Sequence, residues 1–380
     1  MKIFTFLFLA ATLCSNAQPS ALAVADSLYA VGDYSNAIKT LENTEPKTEQ
    51  VYLKLAKAFQ ATGNLKEAEI NYEIVLKKNP ERILTKIDHA KLLMKIGELN
   101  KADSIFSRLA KDYPKNAEFQ YQLGLIKEQQ QDSTAGIYFK NTIQLAPTHQ
   151  EALFKLAKDE LQHREYGMAI NYSLIGLSGN PANVSLRSIL AQSYFNQKFY
   201  DKAIPEFEKI IELGQGNEFV HSRLGFSYYQ LSDFLNAIDH YKTALNFEDR
   251  NSDTHYNLGK LYASTGDLEK SEIHLLMAIL IKKQPVDAEF LSLGLTYKLQ
   301  KDYKKALEYF NNSLEENPDN ERALYERAIA ADNYFKDLGT KINYYVGYLN
   351  KFEAKGNQDL IYLAKTRLKD LRKDQHLFGE

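Results

Sequence analysis

The segments GNLKEAEINYEIVLKKNP (63–80), GELNKADSIFSRLAKDYP (97–114), REYGMAINYSLIGLSGNP (164–181) and KDYKKALEYFNNSLEENP (301–318) align without a gap. Each ends on a proline, and an alanine stands twelve residues before it: Ala68, Ala102, Ala169 and Ala306. Ala135 stands in the same relation to Pro147. Working outward, the register continues through Ala37, Ala203, Ala237, Ser271 and Thr340, in steps of 31 to 35 residues. A fixed period of this length marks an array of helical units that bury their apolar faces against one another. Ten units fit between residues 18 and 352.

Within a unit the pattern is that of two helices packed as a hairpin. Close approach requires small side chains, and Ala56, Ala90, Ala157, Ala191, Gly225, Gly259 and Gly294 each lie twelve residues before an anchor. These positions are expected to face the anchor alanines, with Tyr194, Tyr228, Tyr262 and Tyr297 filling the wider space beside them. Gly32, Gly63, Gly97 and Gly266 fall between the helices, where a left-handed residue ends the first one. The terminal prolines close the second helix. Pro205 is placed near the start of its helix, where a missing N–H costs little. The fourth unit has a turn one residue short, between Glu128 and Ala135.

The stretches LGFSYYQLSDFLNAIDHYKTAL (224–245), LGKLYASTGDLEKSEIHLLMAI (258–279) and LGLTYKLQKDYKKALEYFNNSL (293–314) resemble the tetratricopeptide repeat. The resemblance implies an all-α fold, a right-handed superhelical solenoid of about ten helix hairpins. A further helix over Gln358–Asp374, with Leu360, Leu363, Ala364, Leu368 and Leu371 on one face, reads as a C-terminal cap within residues 353–380.

Residues 1–17 read differently. Lys2 is followed by the apolar run Ile3 to Leu13 and by Ser15-Asn16-Ala17, the order of a signal peptide cut after Ala17. Eleven apolar residues are too few to span about 30 Å of hydrocarbon. No later segment is apolar and long enough to span a membrane. The cut would remove Cys14, the single cysteine, so neither a disulfide framework nor a Cys-ligated zinc site is expected. Export to the periplasm is the expectation, with outer-membrane association or secretion as alternatives. The Asn-Ala-Gln around the cut resembles exported proteins of Bacteroidota-like bacteria.

The chain of 380 residues has a net charge of −2, which offers nothing to a nucleic-acid backbone. It has no Gly-rich phosphate loop, no H-E-x-x-H, no G-x-S-x-G and no kinase motif, so no enzyme, cofactor or metal is expected. His221 and His255 share one repeat position, and His240 and His274 share another. They read as packing residues of duplicated units rather than as a metal site, because no carboxylate or Cys accompanies them in pattern.

In proteins of this family the first helices line a concave face. A stripe at spacings of 3, 4 and 3 along each first helix brings out two recurrences. Lysines return at one place: Lys57, Lys91, Lys158 and Lys260. Large rings also return, at Phe154, Phe195, Phe226, Tyr229, Tyr256 and Tyr325. Rows of solvent-facing aromatics are the expected anchors of a binding surface. The reading is a non-catalytic scaffold of the bacterial cell envelope that holds a protein or peptide in this groove. A glycan-binding protein, stacking sugars on the same rings, is the alternative.

Overall fold

The computed structural model describes residues 20–282 and 285–378, so the proposed leader lies outside the described residues. These residues form 21 helices and no strand. They divide into two compact units, with the boundary between Leu156 and Ala157. The first unit contains α1 (Ala21–Ala30), α2 (Tyr34–Glu42), α3 (Glu49–Ala61), α4 (Leu65–Lys78), α5 (Ile83–Ile96), α6 (Leu99–Asp112), α7 (Ala117–Gln129) and α8 (Ala135–Leu145). Helix α9 (Gln150–Gln162) carries the division. The second unit contains α10 (Tyr166–Gly179), α11 (Val184–Asn196), α12 (Tyr200–Glu212), α13 (Glu218–Gln230), α14 (Phe234–Phe247), α15 (Ser252–Thr265) and α16 (Leu268–Ile281). It continues with α17 (Asp287–Leu299), α18 (Tyr303–Glu316), α19 (Glu321–Tyr334), α20 (Leu338–Phe352) and α21 (Gln358–Phe378). Within the units consecutive helices pair as hairpins from α1 to α8 and from α11 to α20, and α21 packs on α20; the helix count fits about ten hairpins.

Local chemistry sets the helix starts. Asn183, Asn217 and Asn251, 34 residues apart, cap first helices by accepting the N–H three residues on. Asp33, Asp233, Asp267 and Asp302 do the same for second helices. The turn inside each of the first nine hairpins holds one left-handed residue. It is glycine at Gly32, Gly63, Gly97 and Gly266, but Gln131, Arg164, Lys198, Ser232 and Lys301 take the same conformation elsewhere.

Anchor residues Ala37, Ala68, Ala102, Ala169, Ala203, Ala237, Ser271 and Ala306 are fully buried. Ala135 is not, in keeping with its shortened turn. A Cβ at Gly124, Gly225, Gly259 or Gly294 would strike Phe139, Tyr241, Leu275 or Phe310, each four residues beyond an anchor, at 2.5–2.9 Å. The glycine therefore admits a large side chain rather than a second small one.

Two further expectations are corrected. Pro205 is the sixth residue of α12, past the first turn, so its ring removes the bond that the Asp201 carbonyl would accept. Because Pro205 is exposed, Pro205→Ala is expected to stabilise the chain by about 2–3 kcal/mol. A higher urea midpoint at unchanged slope is the predicted result. On α21 the buried stripe is Ile361, Ala364, Leu368 and Leu371, whereas Leu363 stands half exposed.

Candidate functional site

In the first unit, neighbouring first helices are joined by lysine–acid pairs. Lys54 reaches Asp26, Lys57 lies 3.9 Å from Asp88, Lys91 lies 4.0 Å from Glu118, and Lys155 bonds Glu128. Lys57 and Lys91 are thus shared with acids of the next hairpin, although both remain exposed. Such exposed pairs contribute about 0–1 kcal/mol each, so they set register more than stability. Phe154 is half-buried in this unit, and Lys158 is exposed in the second.

In the second unit, side chains link first helices one after another. The Phe195 ring of α11 lies 5.4 Å from Phe226 of α13, and Tyr200 lies 5.8 Å from Phe226. Ser222 of α13 sits 3.4 Å from Thr254 of α15, and Ser292 of α17 donates to the Tyr256 hydroxyl at 3.5 Å. Lys260 stands over the rings of Tyr229 and Tyr256, at 5.6 and 5.3 Å. Phe195, Phe226, Tyr229 and Tyr256 are half-buried rather than fully solvent-facing. Each packs against its neighbours and leaves part of its surface open.

Between α13 and α15 lies a cleft of about 310 Å³, lined by Phe219, Ser222, Phe226, Asp253 and Thr254 as well as Glu218, Arg223, Asn251 and Asn257. The exposed Arg223 guanidinium lies 4.7 Å from the Phe195 ring and 5.1 Å from Phe219, a stacking arrangement that orients its donors. Glu218 accepts from Ser222 at 2.6 Å and from Asn251 at 3.0 Å. Arg223 and Asn257 lie outside the stripe read from the sequence. They share one repeat position, 34 residues apart, which is the signal that could have found them.

Tyr325 does not belong to this surface. It is only 7% exposed and packs edge-on against Tyr348 of α20, in the core cluster that also holds Ile361 and Leu368. The histidines are not at the cleft either. The Nδ1 atoms of His221 and His240 are 3.1 Å apart, and those of His255 and His274 are 2.9 Å apart, so each pair joins the two helices of one hairpin. Burial pushes His221 and His240 below the ordinary histidine value. Burial, with His255 and Lys270 beside it, lowers His274 to about 4. In each pair the two Nδ1 atoms are within hydrogen-bond distance. A second surface feature lies on α16, where Ile273, Leu276, Met277 and Leu280 form an exposed apolar stripe.

No helix among the described residues is long and apolar enough to cross a membrane. Tetratricopeptide repeat models match residues 50–82, 88–116, 227–266, 252–285 and 288–320. Among solved structures, the C-terminal part of a TPR repeat-containing protein from Cytophaga hutchinsonii aligns with a TM-score of 0.50 and 19% identity, over 56% of this chain and 84% of that one. A tetratricopeptide repeat protein from Parabacteroides merdae aligns at 0.42 and 17%, over 65% and 98%. YrrB, described as a TPR protein with an unusual peptide-binding site, aligns at 0.46 and 19%, over 49% and 96%. No relative is found among curated proteins. The chain carries tetratricopeptide repeats on an all-helical fold of about ten hairpins.

Proposed function

We propose that this protein is a non-catalytic scaffold, exported to the bacterial cell envelope, that holds an extended segment of a protein partner against the first helices of its second unit. The observation that carries the reading is the cleft between α13 and α15. Helix backbones have no hydrogen-bonding groups to spare, so a bound peptide must be met by side chains. Asn257 offers both a donor and an acceptor, Arg223 offers fixed donors for a carbonyl or carboxylate, and Phe219 and Phe226 supply apolar walls. The leader-like order of residues 1–17, Lys2 followed by the apolar run Ile3 to Leu13, supports the envelope setting.

The test is affinity capture from envelope extract with the wild-type chain and with Arg223→Glu and Asn257→Ala. A partner held in this cleft is expected to lose on the order of 10-fold or more in affinity with either change. Equal recovery by all three proteins overturns the reading.

A further inference from the structure

A separate site lies in the first unit, away from the peptide cleft. Glu69 and Glu73 are four residues apart on α4 and so share a face. His89 of α5, which packs on α4, lies against that face. One ligand atom from each of the three lies within 4.8 Å of the others. His89 is 7% exposed, and neither of its ring nitrogens has a hydrogen-bond partner. A buried imidazole with two unsatisfied nitrogens is costly, and an ion is one of the few things that removes the cost.

We propose that Glu69, Glu73 and His89 bind one divalent cation of the zinc class. An imidazole nitrogen with two carboxylate oxygens suits a borderline ion, whereas magnesium and calcium favour oxygen alone. Ligands at about 2.0–2.2 Å from zinc lie within about 4 Å of one another, so a small rotation of the exposed Glu73 completes the set. Water fills the remaining position, and the carboxylates at the rim give the ion its entry. Lys101 is the built-in competitor. Its Nζ lies 3.3 Å from Glu69 Oε1, where its charge offsets the paired carboxylates, and its exposed side chain is able to swing away.

The test is calorimetric titration of the chelator-treated full chain with zinc chloride. One saturable site is expected to be lost, or weakened at least about 10-fold, in Glu73→Gln and in His89→Asn. Lys101→Met is expected to bind zinc several-fold more tightly, a gain that damage to folding does not produce. Excess magnesium is expected to leave zinc binding unchanged. Binding that is the same in Glu73→Gln as in the wild type, or weaker in Lys101→Met, overturns the assignment. So does displacement of zinc by magnesium.

Discussion

Truncating Phe310 to alanine is expected to cost about 3–5 kcal/mol. The ring is fully buried in the core that α17 and α18 share with Leu293, Tyr297 and Ala306. It fits because Gly294 carries no Cβ, which would stand 2.5 Å from the ring. This makes the pair testable as a unit. Gly294→Ala alone is expected to destabilise by about 1–3 kcal/mol through overpacking. In the Phe310→Ala background the added methyl enters space the ring has vacated, and its effect is expected to be neutral or stabilising. Urea unfolding of the four proteins measures the coupling. Additive effects would show that the small residue of the first helix does not accommodate the large residue of the second.

Asp332→Ala is the second large effect, expected to cost about 3 kcal/mol. The carboxylate receives Arg367 Nε at 2.6 Å and Arg367 Nη2 at 3.1 Å, and it takes Lys341 Nζ at 3.3 Å. The Tyr345 hydroxyl donates to it at 3.3 Å. Removing the acid leaves those cations beside a core made by Tyr345, Tyr348, Ile361, Leu368 and Leu371. Arg367 is partly open to water, which holds the cost at the lower end of the range for buried pairs. Hydrogen exchange should rise first in α21, because Arg367 is that helix's polar tie to α19. Burial raises the Asp332 carboxyl, but Arg367 and Lys341 outweigh it and hold the group below the ordinary 3.8. The stabilisation is therefore complete above the unfolded value and fades as pH falls through the lower folded one. In Asp332→Ala that acid-dependent component should be missing.

The repeat phase was legible because it rests on residues whose chemistry leaves few choices. Alanine at the anchors, alanine or glycine at the close approaches and proline at the unit ends recur at nearly one spacing. The left-handed turns were half legible. Glycine announces them at Gly63 and Gly97, while Arg164 and Lys198 adopt the same backbone without any compositional mark. The large side chain nearest each glycine was not legible because the spacing fixes a face and not the offset along the opposing helix. The cap was legible as a helix, but its buried stripe includes Ile361 and not Leu363, a rotation set by α20.

The candidate surface was less legible for a related reason. A stripe of 3, 4 and 3 names a face of one helix, while exposure depends on the hairpins beside it. Tyr325 satisfies the stripe and is buried against Tyr348 in the C-terminal core cluster. Lys57 and Lys91 satisfy it and turn toward Asp88 and Glu118, acids 31 and 27 residues further on. Arg223 and Asn257 miss it by one residue and line the cleft.

The central claim is that a partner lies along the first helices of the second unit rather than on the apolar stripe of α16. A photo-crosslinking amino acid placed at Asp253, an exposed residue of the cleft wall, and separately at Met277, compares the two surfaces in the intact cell. A covalent adduct is expected from position 253 and none from position 277. An adduct from position 277 with none from position 253 would contradict the claim.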